Sequence, residues 1–448
     1  MEIAPPPKMK ASSRIGFHYF PDDHHFRESD LEIWIPELNR LGAAYLILQS
    51  PLQHAIPENF LTSLIQAGIQ PVLHYSPSLE EKSDFHDTRI LLEIYGKWGI
   101  KNIILYDRPN NHASWNQSSW SQPGLVERFL DRFIPLASLA VDNGISPVLP
   151  PLEPGGNYWD TAFLRDLLNG LVTRRQENLL KNLAVSAYGW FAGKKLNWGA
   201  GGPERWPESR PYFTPQGEED QCGFRIFDWY QTIVQSIMHT DPPFFLLGLG
   251  CDKSPVPSGK KLNSDFHNRL CTSIYKNLNN LETEDPCKSG ELLEPVSAGV
   301  VCGSFWLLST EPGSPYEEYA WFKADGSWLP VVKSIKEINK QSSGSNETMV
   351  NSNRVNNTKY PLSHYVLLPS FEWGVADFHL EVIKPFIKKY KPAVGFSLDE
   401  ARLASRITVI GGENQFSEQI INQLRLSGSI VEHITGDGSS IASQLAER

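Results

Sequence analysis

From residue 14 to about residue 335 the sequence alternates short apolar runs with stretches of helical period, and that alternation limits the fold more than any other feature. Runs of four to seven apolar residues bounded by turn formers are too short for buried helices and suit strands covered on both faces. Parallel strands each need a crossover, and a helix supplies it. The candidate strands are residues 15–20, 44–49, 71–75, 103–106, 146–149, 183–187, 244–249 and 300–306. Eight strands over roughly 300 residues is what a (β/α)8 barrel with long loops requires. Helices are predicted over 30–41, with Ser29 or Asp30 as the cap, over 125–143 and over 161–182.

The remaining chain divides by composition. Residues 1–13 read as a tail with no apolar core, so no secretory signal is expected in it. Residues 14–340 form the barrel. Residues 341–359 are Ser/Asn-rich and nearly free of apolar side chains, which reads as a linker. Residues 360–448 carry an apolar run at 365–368, a helix near 376–389, a strand at 407–410, a helix at 417–427 and a strand at 430–434. That pattern is a small α/β domain of Rossmann-like type. No apolar stretch is long enough to span a membrane. Location stays open between the cytoplasm, export by an unusual route to the cell envelope or exterior, and a place in a larger assembly.

Charge and cysteine usage exclude several partners. The net charge is −10 with no basic run, so nucleic acid is not an expected partner. The five cysteines form no CxxC pair, which argues against structural zinc. They fit reduced thiols, with one disulfide such as Cys271–Cys287 left open. His18, His24, His25 and His74 show no HxxxH or HxH spacing, and no metal is expected. Gly411, Gly412 and Glu413 follow a strand but lack both GxGxxG and a P-loop Lys, so no nucleotide cofactor is expected either.

In a barrel of this kind, chemistry sits at the C-terminal strand ends. There the sequence places His74 after strand 3, Asp107, Arg108, Asn110 and Trp115 after strand 4, and Glu153 after strand 5. Tyr188, Trp190 and Trp206 follow strand 6, Asp252 follows strand 7, and Trp306 ends strand 8. Polar and aromatic residues recurring together on strand ends suit a saccharide, whose rings stack on flat apolar faces and whose hydroxyls need hydrogen bonds. The thirteen Trp, fifteen Tyr and twenty-two Phe exceed what one core needs, although a large aromatic core is the competing explanation for any one of them.

Residues 98–115 resemble strand 4 of retaining glycosidases with (β/α)8 barrels, where the strand ends Asn-Glu-Pro-Asn and the Glu is the general acid/base. Pro109 and Asn110 match, whereas Asp107 stands at the Asn position and Arg108 at the Glu position. The resemblance implies a second Glu, the nucleophile, at the end of strand 7, and Gly248 falls there. Retention needs two carboxyl groups about 5 Å apart. Arginine does not donate a proton usefully near neutral pH and glycine has no side chain, so that pair is expected to be missing. Asp107, Glu153, Glu204 and Asp252 are the other carboxylates near strand ends, and Asp107 or Glu153 could pair with Asp252 at the wider spacing an inverting enzyme tolerates.

The C-terminal segment resembles one unit of the cell-wall-binding repeat of Gram-positive surface proteins. The match runs through Val409, Ile410, Gly411, Gly412 and Glu413, then Ser417, Leu424, Gly428, Val431, Ile434, Thr435, Gly436 and Asp437, with Gly438 where the repeat has Arg. This resemblance implies an anionic wall polymer as partner. A packing or oligomerising role is the equal alternative.

Three functions follow as expectations. The first is a carbohydrate-binding, glycosidase-like barrel without the double-Glu mechanism, bound to an oligo- or polysaccharide. In it Arg108 and Asn110 contact hydroxyls or an acidic sugar, and Trp115, Trp190, Trp206 and Trp306 stack on rings. The second is an active hydrolase with displaced carboxylates. The third is a structural or assembly protein on a borrowed scaffold.

Overall fold

The structure is a computed structural model that describes residues 13–80, 85–209, 220–253, 255–257, 260–352, 362–369, 377–390, 392–412, 414–426 and 429–446. The chain forms two compact units, divided between Ser343 and Gly344.

The first unit is a closed barrel of eight parallel strands. They are β1 (Ile15–His18), β2 (Tyr45–Gln49), β3 (Gln70–Tyr75), β4 (Asn102–Leu105), β5 (Ser146–Leu149), β6 (Ala184–Tyr188), β7 (Phe244–Leu249) and β8 (Val300–Phe305). Each pairs with its sequence neighbours, and β8 closes on β1 with Ile15 opposite Gly303. All eight expected strands are present, with ends within two residues of those read from the sequence.

Alternation along the strands builds two shells of core. Ile47, Val72, Ile104, Val148, Ala184, Phe245, Leu247 and Cys302 fill the barrel itself. The opposite strand faces, such as Phe17, Leu48, Leu73 and Leu105, pack against the helices. The aromatic excess is largely spent here. Tyr19, Tyr95, Phe129, Phe133, Phe163, Phe227 and Trp321 are fully buried. Phe17 and Trp321 meet edge to face with centroids 4.7 Å apart.

Two helices differ from expectation. The helix expected from residue 30 spans Glu28–Arg40 and is preceded by Arg27. Asp30 sits inside its first turn and its Oδ2 accepts from the Arg27 N–H at 2.9 Å, so it caps from within rather than from the flank. The single helix expected over 161–182 is two, Asp160–Thr173 and Glu177–Asn182. Arg175 between them has φ 54°, which ends a right-handed helix. A two-stranded hairpin, Glu284–Asp285 with Lys288–Leu292, was not foreseen. The helix Pro330–Ser352 enters the segment expected to be a linker. Its buried anchors, Val331, Val332 and Ile335, lie before residue 341, which is why the later composition gave no helical signal.

The second unit is a four-stranded parallel sheet made of β9 (Leu362–Leu367), β10 (Ala393–Gly395), β11 (Ala404–Ile410) and β12 (Ile430–Ile434), in the order β10-β9-β11-β12. Helices Asp377–Tyr390, Glu418–Leu426 and Gly438–Ala446 accompany it. Two apolar clusters cover the two sheet faces, one with Tyr365, Ile407, Val409 and Leu424, the other with Val366, Ile383, Ile410 and Ile441. Of the residues carrying the repeat resemblance, Glu413 and Gly428 lie outside the described residues. Among the described residues no helix is long and apolar enough to cross a membrane.

Candidate functional site

At the C-terminal mouth of the barrel the inward strand positions turn from aliphatic to polar. Ile47 gives way to Gln49 along β2 and Val72 to His74 along β3, and Gln49 lies directly opposite His74. Above them opens a cavity of about 200 Å³. His18, Gln49 and His74 line it from β1, β2 and β3, Asp107 and Arg108 from the loop after β4, and Tyr188 and Trp190 from the end of β6. Cys251, Asp252 and Lys253 follow β7, while Trp306, Tyr316 and Tyr319 follow β8.

The aromatic side chains form ordered walls. Tyr188 and Trp190 stack with centroids 4.4 Å apart and planes 13° from parallel. Trp306 meets His18 at 4.8 Å and Tyr316 at 5.1 Å, both edge to face. The Trp306–Leu307 peptide is cis.

The charged residues are interlocked. Arg108 Nε donates to Asp107 Oδ2 at 2.8 Å, and the Tyr188 hydroxyl donates to the other Asp107 oxygen at 2.8 Å. Burial and the neighbouring Asp107 hold the Tyr188 phenol well above its ordinary range. Glu153 is nearly inaccessible, and its carboxylate is held by Asn111 Nδ2, Lys253 Nζ and, at 3.6 Å, Arg108 Nη1. Asp252 lies at the exposed rim. Partial desolvation raises its carboxyl above the usual range, while the backbone N–H groups of Ala192 and Gly193 pull it down.

The seven sequence-predicted residues brought together on the cavity are His74, Asp107, Arg108, Tyr188, Trp190, Asp252 and Trp306. Four others serve the walls instead. Asn110 is fully buried, with Nδ2 donating to the carbonyls of Glu153 (2.9 Å) and Tyr158 (3.1 Å) and Oδ1 accepting from the Glu153 N–H (2.8 Å). It bolts the loop after β4 to the loop after β5. Trp115 is buried and its Nε1 donates to Pro109 O at 2.8 Å. Trp206 donates to Ala200 O at 3.0 Å, within its own loop. Glu153 sits behind the lining, under Arg108 and Lys253. Sequence reasoning missed His18, Gln49, Ser76, Cys251, Lys253, Tyr316 and Tyr319 as lining residues. The first two carry a signal in hindsight: each is a polar residue ending an otherwise apolar strand.

Gly248 has φ +65°, a conformation that side chains disfavour. A Cβ there would stand 2.8 Å from Trp190 Nε1 and 3.3 Å from a Tyr188 ring carbon. The stacked pair thus occupies the space a longer residue at 248 would enter. Away from the cavity floor, ligand atoms of Asp22, His24 and His25 lie within 4.8 Å of one another, and His18 and His74 are not part of that group. His25 Nδ1 is 2.6 Å from Asp22. All five cysteines are unpaired; Cys271 is buried and Cys287 exposed, so the disulfide left open between them is not formed.

No protein-family model matches the chain, and no curated protein sequence matches it. Solved structures similar to it include a monomeric β-xylosidase from Caulobacter crescentus CB15, at 11% identity and TM-score 0.43, covering 73% of this chain and 68% of that one. A β-glucosidase from Exiguobacterium marinum matches at 11% identity and TM-score 0.43, covering 74% of this chain and 98% of that one. A GH128 endo-β-1,3-glucanase from Sorangium cellulosum matches at 10% identity and TM-score 0.40, covering 72% and 97%. The barrel assignment itself rests on strand order and pairing.

Proposed function

We propose that the barrel mouth binds an oligo- or polysaccharide and lacks the double-carboxylate machinery of retaining glycosidases. Five aromatic side chains, Tyr188, Trp190, Trp306, Tyr316 and Tyr319, line a cavity whose floor and rim carry hydrogen-bonding groups, the composition a sugar ring and its hydroxyls require. The observation that carries the non-catalytic reading is Gly248. Its backbone conformation and the Trp190 indole against it leave no place for a carboxylate at position 248. Arg108 at the end of β4 cannot replace the missing acid.

One observation favours the second reading, an inverting hydrolase. Asp252 and Asp107 line the same cavity, and the raised Asp252 carboxyl suits a proton donor. Against it, Asp107 already accepts from Arg108 and Tyr188.

For the second unit we propose a role in attachment, to a cell-wall polymer or to a larger particle, which the repeat resemblance supports. A glycan array followed by turnover assays on polysaccharides and aryl glycosides separates the readings. Binding without product supports the first. Product formation abolished by Asp252→Asn or Asp107→Asn supports the second. Absence of any glycan ligand, with copurification of a protein partner, supports an assembly role.

A further inference from the structure

The loop after β1 carries Asp22, Asp23, His24 and His25 in a row, and none of them lines the cavity described above. Side chains adjacent along a strand point to opposite faces. Here the chain bends, and the two imidazoles lie side by side, with centroids 5.1 Å apart and planes 30° from parallel. The Asp22 carboxylate reaches both. Its Oδ1 is 2.6 Å from His25 Nδ1 and 3.7 Å from His24 Nδ1. Ligand atoms of the three residues all lie within 4.8 Å of one another. Ligands on a tetrahedral zinc ion stand about 3.3 Å apart, the edge that bonds of about 2.0–2.1 Å dictate.

Two contacts from outside the row hold His25 in place. Its ring stacks on the buried Phe20, with centroids 4.0 Å apart and planes 16° from parallel. Its Nε2 faces Glu311, from the loop after β8, at 3.6 Å. Metal-binding histidines direct their other nitrogen toward a carboxylate in just this way, which leaves the lone pair on the nitrogen that binds. With Glu311 at Nε2, that nitrogen is Nδ1, on the side of Asp22. His24 is largely exposed, so the group opens to water there, and Asp23 Oδ1 adds a negative charge 3.3 Å from His24 Nδ1.

We propose that Asp22, His24 and His25 form a surface site for one divalent transition-metal ion of the Zn2+ class, with a coordination position left to water or an outside ligand. The donor set decides the class. Two imidazole nitrogens and a carboxylate suit Zn2+, Cu2+ or Ni2+, whereas Mg2+ and Ca2+ take oxygen ligands. The ion replaces the proton between His25 Nδ1 and Asp22, which leaves to solvent, and that 2.6 Å contact opens to the ligand spacing given above. The HxxxH and HxH spacings sought in the sequence put two rings on one face of a helix or strand; a bent loop brings immediate neighbours together instead.

The test is calorimetric titration of zinc chloride into the full chain carrying Cys287→Ser, which removes the exposed thiol as a competing ligand. One Zn2+ per chain should bind. His24→Ala changes a largely exposed side chain and should weaken binding at least about 10-fold, the low end of the loss seen even for groups that only support a ligand. His25→Ala should do the same, with circular dichroism showing an intact fold. Cobalt chloride should give visible d–d absorption that His24→Ala abolishes, and magnesium or calcium chloride should not displace the zinc. Zinc affinity unchanged in either variant, no zinc binding below about 1 mM, or displacement by magnesium overturns the proposal. None of these outcomes bears on saccharide binding, which the glycan array reads separately.

Discussion

Replacing Asn110 by Ala tests whether the loops after β4 and β5 are locked from within. The side chain makes three hydrogen bonds, all to backbone groups, at 2.8, 2.9 and 3.1 Å, and it is fully buried. Truncation strands the Tyr158 carbonyl and the Glu153 N–H, each worth about 1–3 kcal/mol when left unserved, and removes one of the two donors to the Glu153 carbonyl, which keeps the Gly156 N–H at 2.9 Å. Water entering the vacated space satisfies part of that set. The variant should therefore lose about 3–5 kcal/mol of unfolding free energy, counted toward the low end of each term. Urea denaturation followed by far-ultraviolet circular dichroism measures it. Gly156 packs on the same amide, its Cβ position only 2.5 Å from Asn110 Nδ2, so Gly156→Ala should destabilise in the same direction. A loss below about 0.5 kcal/mol, combined with lost saccharide affinity, would refute this reasoning and return Asn110 to the ligand-contacting role its sequence position implied.

Gly248→Glu should lower stability by about 1–3 kcal/mol or more through its left-handed backbone, and displace Trp190, without creating turnover; indole fluorescence and aryl glycoside assays report both. His18 and His267 are buried with pKa lowered by desolvation, to about 3 and about 4. Their unfolded forms take up protons first, so stability is complete above about pH 6.5 and declines as pH falls toward 4. His267→Leu should flatten the change in unfolding free energy between pH 7 and pH 5; an unchanged slope would exclude His267 as a contributor. Among the cysteines, Cys287 alone is exposed, so a thiol reagent should label it in the native protein and reach Cys251, Cys271 and Cys302 only on unfolding.

The fold was legible because strand and helix periods alternate through most of the first unit. Runs such as those at β4 and β7 are short, apolar and bounded, and nothing else fits them. What stayed hidden depended on contacts. The break at Arg175 has no Pro or Gly to announce it. The site was legible where a residue's position alone decides its direction, as at Asp107, Trp190 and Trp306. It was not legible where partners decide. Asn110, Trp115 and Glu153 carry the side chains of a binding site, yet their polar atoms are taken up by Glu153 and Tyr158 backbone, Pro109 O, and Lys253 with Arg108. Conversely, nothing in the sequence shows that His18 lines the cavity with its Nε2 accepting the Gly248 N–H.

As proposed above, this mouth holds a sugar ring and leaves its glycosidic bond whole. Calorimetric titration with the best-bound array oligosaccharide, followed by mass spectrometry of the same sample after prolonged incubation, tests both halves at once. Saturable binding is expected, weakened by Trp190→Ala and Trp306→Ala, with the oligosaccharide recovered at its original mass. Shortened products that disappear in Asp252→Asn would contradict it.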